Sequence, residues 1–80
     1  MNIMALVRSI HRIKKDTYRV HAEVSCDCSL FEEDGEWYVQ LDTYGSKNRE
    51  LPGKMSQSIQ LDRKGAAALR AVLDEVLGHS

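Results

Sequence analysis

Two cysteines are all the chain has, Cys26 and Cys28, and a single residue separates them. A disulfide between them would close a very short, strained loop, which excludes the framework of a small secreted domain. No stretch approaches the roughly 20 apolar residues of a membrane span. Arg8 and Arg12 interrupt the apolar residues between Met1 and Ile13 before the core of a signal peptide can form. Gly35, Gly45 and Gly53 are isolated turn residues, so there is no phosphate-cradling glycine loop. Repeats and low-complexity tracts are absent. Net positive charge is absent too: 11 Lys+Arg stand against 12 Asp+Glu, for a formal charge of −1. That total excludes a uniformly basic nucleic-acid binder. These absences lead to the expectation of a soluble, cytoplasmic protein with no membrane contact, no cofactor and no metal.

What is present is one small domain, spanning residues 1–80. Of its residues 42% are hydrophobic, which argues against disorder. A domain of this size buries about 60–65% of its unfolded surface. Its own core is modest, and a second subunit is the expected source of further burial, hence a homodimer.

The hydropathy pattern predicts an α+β fold: an antiparallel three-stranded meander packed by a C-terminal helix, with a possible short N-terminal helix. Ile3, Leu6, Val7, Ile10 and Ile13 recur at helical spacing, although alternation from Val7 to Ile13 also permits a strand. Residues 1–16 form an N-terminal segment on this reading, 17–62 the sheet and 63–77 the helix. From residue 17 to 31, Tyr18, Val20, Ala22, Val24, Cys26, Cys28 and Leu30 alternate with polar residues, the mark of a half-buried strand. Asp34-Gly35 then signals a tight hairpin. Trp37, Val39, Leu41 and Thr43 alternate with Tyr38, Gln40, Asp42 and Tyr44 in a second strand. Gly45 to Met55 reads as a loop. In residues 56–61, Gln57, Ile59 and Leu61 alternate with Ser56, Ser58 and Gln60. Asp62 is a natural helix N-cap. Ala66, Leu69, Val72, Leu73, Val76 and Leu77 follow at three- and four-residue spacing, and Gly78 is a natural stop.

The small net charge hides strong segregation. Residues 1–21 carry +4 and residues 22–44 carry −7, with no Lys or Arg in the latter block. Residues 45–64 carry +3 through Lys47, Arg49, Lys54, Arg63 and Lys64 against Glu50 and Asp62. Local fields of this kind steer partners more than the total does. In the 45–55 loop, Lys47, Arg49 and Lys54 could meet phosphates while Tyr44 at its entrance stacks on a base. Backbone charge and aromatic stacking are the two ingredients of single-strand binding. The acidic block has a plainer reading as a solvated hairpin tip.

Catalytic chemistry finds no support. One Cys-x-Cys does not make the separated ligand pairs of a zinc site, and period two sets both thiols on the apolar face, where buried free thiols are expected. A Cys–His nucleophile with His11 or His21 would need an orienting third group and an oxyanion site. The carboxylates Glu32, Glu33, Asp34 and Glu36 lie at a hairpin tip rather than in a cleft. The chain is therefore not expected to be an enzyme. Trp37 is expected in the core beside Val39 and Leu41. The opposite face presents Tyr38, Gln40, Tyr44, Ser58 and Gln60, with Asp42 and Glu23 opposing a plain anion site.

The run from Gly35-Glu-Trp-Tyr-Val-Gln-Leu-Asp-Thr-Tyr-Gly-Ser to Gly53-Lys54, followed by Ser56-Gln-Ser-Ile-Gln-Leu-Asp62, resembles a group of small uncharacterised bacterial and phage proteins over residues 18–77. Over residues 36–77 the layout is also similar to the positive cofactor four family of transcriptional coactivators. Gly53-Lys54 matches that family's Gly-Lys, and Ile59-Gln60-Leu61 its next strand. Thr43 stands where the family has a basic residue, and the strongly acidic hairpin is not typical of it. This resemblance implies a homodimer that binds single-stranded DNA, and it bears most on Lys54.

Two functional expectations follow. The first is a small nucleic-acid-binding module, for single-stranded DNA or RNA, in transcription, repair or a phage or defence setting. Its candidate site is Lys47, Arg49, Lys54, Tyr44, Tyr38, Gln57 and Gln60. The second is a protein-binding regulator or inhibitor that sets Glu32, Glu33, Asp34 and Glu36 against a basic surface of a host protein.

Overall fold

The structure is a computed structural model that describes residues 3–45 and 57–79. In chain order its elements are β1 (Ile3–Val7), β2 (Ser25–Glu33), β3 (Glu36–Tyr44), β4 (Gln57–Leu61) and α1 (Arg63–Gly78). The fold is α+β. The sheet has four strands in the order β1-β4-β3-β2.

The β2–β3 hairpin follows from its turn residues. Asp34 and Gly35 both take positive φ, 53° and 82°, as a two-residue type I′ turn requires to match the strands' twist. Pairing runs unbroken from Glu33↔Glu36 to Ser25↔Tyr44. β4 joins β3 antiparallel, from Thr43↔Gln57 to Val39↔Leu61.

Two expectations need correction. The N-terminal segment holds no helix among its described residues: β1 pairs parallel with β4 from Ile3↔Gln57 to Val7↔Leu61, so the sheet is mixed rather than a three-stranded meander. The physical reason is that β4 would otherwise present an unpaired edge. A five-residue apolar run gains a full ladder there, whereas so short a helix pays for nucleation without propagation. Second, the strand expected from residue 17 begins only at Ser25, and 8–24 is chain with no regular element, exposed except for the half-buried Ile10. The β3 partner ends at Tyr44, so the alternating residues before Ser25 have no ladder to complete.

Register sorts the side chains cleanly. One side of the sheet carries Asp27, Ser29 and Phe31, then Tyr38, Gln40, Asp42 and Tyr44, then Ser58 and Gln60, then Met4 and Leu6. The other carries Cys26, Cys28, Leu30, Trp37, Val39, Leu41, Ile59, Leu61, Ala5 and Val7. α1 lies on this apolar side, packed against β3 and β4. Gly65 in its first turn makes the approach possible. A Cβ there would run into the Val7 carbonyl oxygen and come 3.4 Å from Leu61 Cδ2. The helix starts as expected, because Asp62 Oδ1 accepts from the Gly65 N–H at 2.9 Å. It runs one residue past the expected stop, through Gly78, and the His79 N–H closes it on the Val76 carbonyl.

The core is thin. Among the described residues Leu61, 4% exposed, is the only buried large apolar side chain. Trp37, expected in the core, is 60% exposed, and both cysteines are exposed free thiols rather than buried ones. Their alternation is as expected, but sharing an apolar face buries a side chain only where something covers it. α1 sits over β3 and β4, the β2 half of this side stays open, and Trp37 lies at the end of β3 that runs past β4.

Candidate interaction surfaces

The polar side of the sheet gathers the tyrosines and glutamines singled out from the sequence, but it commits them to one another. Gln60 Nε2 donates to Gln40 Oε1 at 2.9 Å, and Gln40 Nε2 donates to both Asp42 carboxylate oxygens at 3.0 and 3.1 Å. Tyr44 donates its hydroxyl to Asp27 Oδ2 at 2.9 Å. Asp27 and Asp42 are direct cross-strand partners, a like-charge pairing that costs stability. Each aspartate draws a donor of its own, which offsets that cost. Tyr38 stacks on Phe31 with ring centroids 5.1 Å apart, and its hydroxyl donates to Glu36 at 3.3 Å.

Both phenols titrate above the ordinary tyrosine range. For Tyr44 the main cause is the hydrogen bond to Asp27, since a phenolate would lose that bond and meet a carboxylate instead. For Tyr38 it is desolvation first, then the charge and hydrogen bond of Glu36. Neither tyrosine is poised to ionise near neutrality. Met4, Leu6, Gln40, Ser58 and Gln60 line a shallow hollow on this side.

Of the expected nucleic-acid residues, Tyr38, Tyr44 and Gln60 therefore share the polar side, while Gln57 falls on the α1 side of the sheet. Lys47, Arg49 and Lys54 lie outside the described residues. The strand positions of the polar side hold no Lys or Arg among the described residues, and they hold Asp27, Asp42, Glu33 and Glu36. Phe31, the stacking partner of Tyr38, was missed. The signal was available: alternation along β2 carries on to residue 31 and sets it beside Tyr38 across the hairpin.

The hairpin tip is built differently. Val39 is the first β3 residue paired with β4, so Glu36 to Tyr38 and the turn extend beyond β4. Glu32, Glu33, Asp34 and Glu36 are all exposed there. The described ion pairs lie elsewhere, as Arg12–Glu75 at 2.6 Å and Arg8–Asp62 at 4.0 Å, so none neutralises the tip. On the apolar side of the same hairpin Trp37 pairs in register with Glu32, and Leu30 next to it is 71% exposed. No His, Cys, Asp or Glu group among the described residues is arranged to hold a metal, and no helix there is long and apolar enough to cross a membrane. His11, His21 and His79 are exposed.

No family model, curated protein or solved structure matches the chain. The functional reading rests on these surfaces alone.

Proposed function

We propose that the chain is a non-enzymatic protein-binding regulator whose working surface is the β2–β3 hairpin. The observation that carries this reading is the exposure of Trp37 and Leu30 on a fully paired hairpin whose end carries four exposed carboxylates with no ion pair among the described residues: Glu32 on the Trp37 side, Asp34 in the turn, and Glu33 and Glu36 on the other side. A large aromatic set in a well-ordered strand and left open to water is the usual anchor of a protein contact. Carboxylates around it select the partner's charge and speed the encounter without supplying most of the affinity. The partner that fits is a protein with an apolar patch ringed by Lys and Arg.

The nucleic-acid reading is less well supported. The polar side already uses its amide donors internally, and its carboxylates would repel a phosphate backbone laid across it.

The test is a nuclease-treated pull-down from the native host with the wild-type chain and with Glu32, Glu33 and Asp34 changed to Lys. The expected result is a protein captured by the wild type, lost with the triple variant, and accompanied by a shift in Trp37 emission on rebinding. Capture that vanishes with nuclease, combined with salt-sensitive binding of oligonucleotides by both forms, would overturn the reading in favour of nucleic acid.

A further inference from the structure

The chain exposes more surface than a compact fold of its mass. A folded monomer of 9.1 kDa is expected to expose about 4900 Å², whereas this chain exposes 7410 Å². The excess is roughly 2500 Å² per chain. Part of it belongs to the mostly exposed irregular segment 8–24; a standard interface needs about 800 Å² from each partner.

α1 carries exposed apolar residues of its own, Leu73, Val76 and Leu77. Its sheet-facing positions are Gly65, Ala68, Leu69 and Val72, which are buried or half-buried. One flank away from the sheet carries Ala66, Arg70, Leu73, Asp74 and Leu77, and Leu77 is 82% exposed. Two features of this flank are self-complementary. The small residue lies in its N-terminal half and the large leucines in its C-terminal half, so an antiparallel copy sets each Leu77 over the other's Ala66. Arg70 and Asp74 are one turn apart, and neither is ion-paired among the described residues. In the same antiparallel crossing Arg70 of each copy meets Asp74 of the other. A two-fold contact repeats each pairing twice, and among the described residues this flank is a surface that gains from meeting itself. The acidic tip would only repel its own copy.

We propose that a second copy of the chain covers this flank, forming a homodimer through an antiparallel α1–α1 seam with reciprocal Arg70–Asp74 pairs. This deepens the protein-binding reading: one partner is the chain itself, and the dimer presents two acidic hairpins outward for avidity toward another.

The test is sedimentation equilibrium on the full chain over a wide concentration range. The wild type should show twice the chain mass. Arg70→Asp and Asp74→Arg should each raise the dimer dissociation constant about tenfold or more, because two attractions become two repulsions. An equimolar mixture of the two variants should recover the dimer, since each then meets its complement. No intrahelical effect produces that recovery, and a variant that unfolds alone should refold on mixing. A folded wild-type monomer at every concentration would overturn the proposal. So would single variants as dimeric as the wild type, or a mixture no more dimeric than its components. Failure here leaves the hairpin pull-down untouched, and an intact dimer that captures no protein would sink only the hairpin reading.

Discussion

The two sides of the sheet make a direct comparison. The polar side is half-covered by nothing but its own side chains, yet its amides, carboxylates and phenols satisfy one another. The α1 side has a helix on it, yet Leu30, Trp37 and Ile59 remain open. Polar groups can be satisfied pairwise, by a neighbour two residues or one strand away. Apolar groups are satisfied only by removal of water over an area, and one 16-residue helix does not cover four strands. The polar side satisfies its hydrogen-bonding groups, with Met4 and Leu6 open at its β1 edge, and the α1 side leaves the larger apolar surface to partners.

The sharpest way to break that comparison is at Leu61, the buried large apolar side chain among the described residues. Leu61→Ala should cost about 2–5 kcal/mol, read from the shift in urea midpoint, and a loss below that range would mean that the polar side carries more of the stability. Next comes Gly65→Ala. Its new Cβ meets backbone at Val7 rather than a movable side chain, so α1 must lift, at about 1–3 kcal/mol. An Ala that stabilised the chain through helix propensity would show that the helix does not sit as closely as described. Asp62→Ala removes the cap on Gly65 and should cost about 1 kcal/mol, with fraying of the first turn visible in amide exchange.

On the polar side the expected effects are mostly changes in titration. Asp27→Ala should bring the Tyr44 phenol down toward the ordinary tyrosine range, followed by its absorbance near the phenolate band. In the wild type the folded phenol is raised by Asp27. The bond therefore stabilises fully below the ordinary phenol pKa and is lost as pH rises through the raised value. The smallest effect belongs to the Arg12–Glu75 pair at the surface. Arg12 holds the Glu75 carboxyl below its ordinary range, so the pair contributes above that range and is lost as acid protonates Glu75. Arg12→Ala should move the Glu75 titration upward in carbon-detected NMR while leaving neutral-pH stability almost unchanged.

Much of the architecture was legible residue by residue. Asp34-Gly35 announced the hairpin because few pairs accept two positive φ angles. Asp62 announced the helix start because its side chain can replace a missing backbone acceptor. The segregation of Tyr38, Gln40 and Tyr44 from Trp37, Val39 and Leu41 followed from period two. What was misread depends on partners distant in sequence. β1 is a strand because β4 needs a parallel neighbour more than 50 residues away, and no local period records that. Residues 17–24 alternate like a strand but have nothing to pair with. Trp37 and the cysteines occupy the expected face, yet Trp37 lies at the end of β3 that runs past β4 and the cysteines lie on β2, away from the strands α1 packs against. The glutamines expected to reach a ligand were legible as a cluster, but their bonds to one another were not.

By itself, then, the sequence determined the local geometry: the turn, the cap, the helix and the sorting of side chains to two sides. These depend on dihedral preferences and on periods of two and 3.6 residues, which act over a few positions. Only the tertiary structure decided which strands meet, how far α1 reaches and how much apolar surface stays wet. Those are questions of area and long-range pairing, where each residue's fate depends on what happens to lie above it.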